Sequence, residues 1–183
     1  MIDPDLAADI IAMNQDSSAN PTRGTIIRFV SPISVYTAAS FRIFGDCGER
    51  AARTWQALTG IPLVPVSSDL PPRLMLESVN TNDSRARTDT LTVNLDNTLR
   101  DVHVIMPSQW AGMGCSWQVE DTVTHEFGHA LGILGHPDWG GVMSYAEHTG
   151  LRQPSAREVR MVVALFGLPP GAHVNADGTW EAW

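Results

Sequence analysis

The chain has 183 residues, of which 43% are hydrophobic and 17% charged, with 15 Gly and 12 Pro. That is the composition of a globular chain able to bury about two-thirds of its unfolded surface, and the length favours one domain. The net charge is -8, with 20 Asp plus Glu against 12 basic residues, all of them Arg, which argues against nucleic acid or an anionic membrane as a partner.

No apolar run approaches the ~20 residues that span a bilayer. Residues 1 to 13 carry Asp3, Asp5 and Asp9 where a signal peptide has its basic and apolar regions, so the chain reads as cytosolic or as a mature form. Residues 1 to 24 combine a helix fragment, with Leu6, Ile10, Ile11 and Met13 as its apolar patch, and a linker through Ser17, Ser18, Asn20 and Pro21; this segment is expected to attach loosely. Thr25 to Tyr36 has strand composition interrupted by Pro32. From Asp46 to Leu58, Cys47, Ala51, Ala52, Trp55 and Leu58 recur at three- and four-residue steps, predicting a helix with one buried face. Strands are expected at Pro62 to Ser67, Arg73 to Glu77, Thr90 to Leu95 and Asp101 to Met106. Between the second and third lies a polar surface loop, residues 80 to 89, with enough side-chain oxygens to hold a cation. A strand, a helix and then several strands predict a helix packed on a sheet, in an α/β or α+β layer. Cys47 and Cys115 are the only cysteines. They are either two buried thiols or one disulfide, which would close a loop worth about 4 kcal/mol and point to an oxidising compartment.

The segment His125-Glu126-Phe127-Gly128-His129-Ala130-Leu131-Gly132-Ile133-Leu134-Gly135-His136 carries the chemistry. On a helix, His125 and His129 lie on one face about 6 Å apart along the axis. Both can therefore reach one zinc at ~2.1 Å. A continued helix would carry His136 about 16 Å from His125, beyond any shared ligand sphere. The helix must therefore break, and Gly132 is the residue that adopts positive φ without steric cost. Three neutral histidines leave the fourth zinc position open, the arrangement of a catalytic site. Glu126 is adjacent and able to take a proton from water there. Chance produces such a pattern in a chain of this size about once in 10⁵.

The pattern His125-Glu126-x-x-His129-x-x-Gly132-x-x-His136, followed by Met143, resembles that of the metzincin zinc endopeptidases. HEFGHALG (125 to 132), the short step from His136 to Met143, AARTWQALTGIPL (51 to 63) and PSAREVRMVVALFG (154 to 167) look like the matrixin branch, the last with Ser155 and Glu158 as a capping box. Pro137 and Met143-Ser144-Tyr145 are more similar to the serralysin branch. Matrixins also carry a second zinc and calcium, with a His-Phe-Asp ligand segment where this chain has His103-Val104-Ile105; Ile105 cannot ligate, so neither calcium nor a second zinc is supported.

The resemblance implies an α+β, metzincin-like fold: a twisted, mostly parallel sheet with two helices, and a small C-terminal lobe with one helix. It covers residues 25 to 168 as the catalytic domain, flanked by the segment 1 to 24 and a tail 169 to 183 expected to drape over the surface. It implies a zinc-dependent endopeptidase with one Zn²⁺ on His125, His129 and His136, Glu126 as base and Tyr145 as oxyanion donor. It also implies a turn at Met143 as the floor beneath the histidines, a protein or peptide substrate, a monomer, and secretion. The competing class is a zinc hydrolase of non-protein substrates or an inactive zinc-binding module. His103, His148 and His173 read as surface or structural, and Trp110, Trp117 and Trp139 either shape a cleft near the site or pack in the core, core packing being the default.

Overall fold

A computed structural model describes residues 1–14, 25–71, 73–145 and 148–182, the side chains of 90–92 excepted. The expected linker at 15–24 lies outside the described residues. The elements in chain order are α1 (Pro4–Met13), β1 (Ile33–Thr37), α2 (Cys47–Thr59), β2 (Leu63–Val66), β3 (Arg73–Val79), β4 (Arg87–Val93), β5 (Leu99–Pro107), α3 (Trp117–Ala130), α4 (Ala156–Gly167), β6 (His173–Val174) and β7 (Trp180–Glu181).

Five strands form a sheet in the order β2-β1-β3-β5-β4. The first four are parallel, and β4 joins β5 antiparallel with Thr88 opposite Val104. This is a mixed α+β fold with a mostly parallel sheet, as expected. Leu74 and Leu76 of β3 and Val102, Val104 and Met106 of β5 are buried at two-residue spacing, the pattern of strands that bury one face. Trp55 on α2 is fully buried and its indole N–H donates to the Thr124 carbonyl of α3 at 2.8 Å. Cys47, the first residue of α2, is bridged to Cys115, just before α3. These two links hold the two helices together at separate points along their length.

The expected helix at 46 to 58 forms one residue later, and Ser155 and Glu158 make the expected capping box at the start of α4. Strand boundaries move by more than a residue or two at β1 and β4. Only the part of 25 to 36 after Pro32 joins the sheet, while Thr25 and Arg28 make single bridges to His173 and Thr98. Strand β4 starts at Arg87, so the polar loop is shorter than its composition suggested. It also stops at Val93: Asn97, with φ 61, turns the chain and its N–H donates to the Asn94 carbonyl, leaving Leu95 fully exposed at the tip.

The chain ends are better attached than expected. Asp3 caps α1 through the N–H groups of Asp5 and Leu6, and Pro4 occupies the first turn, a combination that favours a helix start. Ala7 and Ile10 are fully buried, and Asp9 pairs with Arg157 of α4 at 2.6 Å. Residues 1–14 do not hang loosely: the short apolar stripe of α1 is buried, and α1 packs against α4. The tail likewise buries Ala172 and Val174 and folds back through the β6–β7 hairpin, while Ile26 N–H donates to the Ala172 carbonyl. It does not drape over the surface. No helix among the described residues is long and apolar enough to cross a membrane.

Candidate metal centre

Ser116 caps α3 through the Val119 N–H, and the helix runs to Ala130. His125 and His129 stand one turn apart near its end. Gly132 then adopts φ 105, the conformation its lack of a side chain permits, and the chain reverses. Ile133 N–H returns to the Gly128 carbonyl at 3.0 Å, and His136 comes back beside the helix. The break at Gly132 is where the spacing required it.

The three Nε2 atoms converge: His136 lies 3.1 Å from His125 and 3.0 Å from His129, and one ligand atom from each residue falls within 4.8 Å of the others. His125 Nδ1 is 2.8 Å from the Val142 carbonyl and His129 Nδ1 is 2.6 Å from the Ile133 carbonyl. A carbonyl only accepts, so each Nδ1 carries the proton and each Nε2 of that pair turns a lone pair inward. Burial holds all three rings in the neutral form: it lowers the His125 pKa, takes His129 to about 3 and His136 to about 4, with His125 adding to the effect on the other two. Converging lone pairs cannot satisfy one another, whereas a tetrahedral ion with ~2.1 Å bonds needs nitrogens about 3.4 Å apart. The donor set fits a metal ion, and its Nδ1 contacts are the outer bonds that orient such ligands.

Glu126 is 5% exposed. Its Oε2 accepts from the Thr88 hydroxyl of β4 at 2.6 Å. Burial raises the carboxyl pKa to about 7; the Thr88 hydroxyl opposes this and the Asp89 charge adds to it. A carboxyl poised there can both accept and return a proton near neutral pH. Thr88 carried no signal in the sequence, because only the register of β4 on β5 brings it to Glu126.

Below the histidines, Val142 and Met143 are fully buried. Glu158, also fully buried, accepts from Met143 N–H at 2.8 Å, Val142 N–H at 3.3 Å and Ser155 N–H at 2.6 Å. The Val142 peptide thus links Glu158 on one side to His125 on the other. A β-carbon at Gly128 would collide with the Met143 sulfur and sit 3.1 Å from the Trp55 ring. The expected floor therefore packs directly under the ligand helix. Tyr145 stacks on the His136 ring at 3.6 Å between centroids and is 77% exposed.

No family model matches the chain, and no curated protein matches it. Of the other singled-out residues, His148 Nε2 meets Asp121 Oδ2 at 2.8 Å and its ring packs edge-on against Trp117, while His103 Nδ1 meets Glu77 at 2.6 Å. Both are structural, as expected. Trp117 opens α3 and is 40% exposed rather than part of the core. Arg152 donates to Asp121 and to the Ser144 carbonyl, pinning the segment after Met143 to α3. Among the described residues no other three His, Cys, Asp or Glu side chains gather as a metal site.

Proposed function

We propose that this chain is a zinc-dependent endopeptidase of metzincin build, with a sheet-bearing upper lobe, a small lower lobe around α4 and a substrate cleft between them. The observation that carries the reading is the cluster of three inward-facing Nε2 atoms with the buried Glu126 next to it, hydrogen-bonded to the edge strand. His125, His129 and His136 would hold one zinc through Nε2. When bound, the ion supplies Lewis acidity, which acidifies water and polarises a carbonyl oxygen.

Glu126 takes the proton from the attacking water and returns it to the leaving amine as the peptide C–N bond breaks. The Tyr145 hydroxyl donates to the oxygen that gains negative charge as the carbonyl becomes tetrahedral. β4 ends the sheet, so its free backbone edge suits an extended polypeptide laid alongside as an added strand. The disulfide supports an oxidising, extracellular setting, and the net charge of -8 argues against nucleic acid as the substrate.

The test is incubation of zinc-loaded protein with a diverse peptide library, cleavage sites being read by mass spectrometry. Peptide cleavage is expected. Glu126→Ala should keep its zinc and lose about 10²–10⁴-fold in rate, and His136→Ala should lose zinc occupancy by elemental analysis. Full zinc loading without cleavage of any peptide would overturn the endopeptidase reading.

A further inference from the structure

The ligand loop between His129 and His136 is held from outside by the end of α1. Met13 carbonyl accepts from Leu134 N–H at 2.7 Å and Gly135 N–H at 3.0 Å. Asn14, only 1% exposed, donates through Nδ2 to the Gly132 and Ile27 carbonyls, both at 2.8 Å, and accepts from Ile27 N–H at 2.8 Å. Each polar atom of that amide is used, and α1 itself is fixed by the Asp9–Arg157 pair. The glycines of the loop fit the same contact. A β-carbon at Gly132 would approach Asn14 Nδ2 at 3.0 Å, and one at Gly135 would approach the Met13 sulfur at 2.9 Å.

These contacts bracket Ile133 on both sides. Its carbonyl is the acceptor that fixes the His129 ring, and its loop ends on His136. We infer that Met13 and Asn14 are positioning residues for the metal centre, setting the orientation of His129 through the Ile133 carbonyl and the place of His136 through the loop. The segment at 1–14 is then a working part of the site, and loosening its hold lowers metal affinity without touching a ligand. This rests on the metal reading of the His125, His129 and His136 cluster. Outer partners of metal ligands alter affinity by about 10–100-fold when removed, which sets the size of effect to look for.

Asn14→Asp keeps the shape and the acceptor but replaces the donor to Gly132 and Ile27 with an oxygen facing two carbonyls. Phe44→Leu, in the buried Phe41–Phe44 pair, serves as a variant that loses stability elsewhere. Zinc affinity is measured on the folded full-length proteins by competition with a chromophoric chelator, and thermal stability on the same samples. Expected is a loss of zinc affinity of about tenfold or more in Asn14→Asp and parental affinity in Phe44→Leu at a similar drop in Tm. Parental affinity in folded Asn14→Asp, or equal losses in both variants, would overturn the inference while leaving the metal site standing. A parent protein that takes up no zinc would overturn the metal reading itself. Native-state exchange of the Leu134 and Gly135 amides backs the first comparison: both should lose protection in Asn14→Asp, and unchanged protection would count against the clamp.

Discussion

Tyr145 stacks its ring on His136 and is largely exposed, so ring and hydroxyl can be tested apart. Tyr145→Phe keeps the stacked ring and removes only the donor. The zinc content and Tm should hold, and kcat should fall about 10–10³-fold with KM little changed, as for loss of an oxyanion donor. A kcat within about threefold of the parent would leave the tyrosine as a cover for His136. At this scale the sequence was legible wherever function depends on local spacing: the three histidines and Glu126 follow from helix pitch and one glycine. Thr88 and Asn14 were not legible. Each reaches the site from a remote segment, through strand register or loop packing, and no local pattern records that. Trp117 misled for the opposite reason, since its size says nothing about which side of α3 it faces.

The turn at Met143 and the start of α4 behave as one element because Glu158 closes the capping box and accepts from the Val142 and Met143 amides. Glu158→Gln keeps the volume but leaves at least one buried N–H facing an amide N–H. An unsatisfied buried donor costs about 1–3 kcal/mol, equivalent to about 2–12 °C in Tm for a chain of this size. Zinc affinity should weaken as well, because the Val142 carbonyl that fixes His125 belongs to the displaced peptide. Calorimetry and chelator competition on Glu158→Gln check the two effects, and a Tm unchanged within a degree would refute the clamp. Helix α2 was read to within a residue because its apolar period is local, and the capping box that opens α4 is equally local. Strand ends were read less well: Leu95 continues the alternation of Leu91 and Val93, yet Asn94 and Asn97 close a turn there and expel it.

For the whole molecule, the disulfide closes a long covalent loop, Cys47 and Cys115 being separated by 68 positions in sequence. The cysteine count alone allowed two thiols or a bridge; proximity of the α2 and α3 starts decides for the bridge. Replacing both cysteines with Ala should cost about 4 kcal/mol, or about 8–16 °C in Tm, by calorimetry; a shift under about two degrees would mean the loop is already ordered without it. The attachment of both chain ends escaped sequence reading because their apolar residues are few and their partners lie at the far end of the chain. The contact at Gly128 reaches furthest. Three separate parts of the chain, α2 with Trp55, α3 with Gly128 and the turn with Met143, meet where a single β-carbon is missing. The two unspecified letters between His125 and His129 are therefore not both free. A homologous chain that places Ala at the second must move or shorten the side chain at 143 to match, so substitutions at these two positions are expected to be coupled, and the pair is a fingerprint by which distant kin of this chain can be sorted.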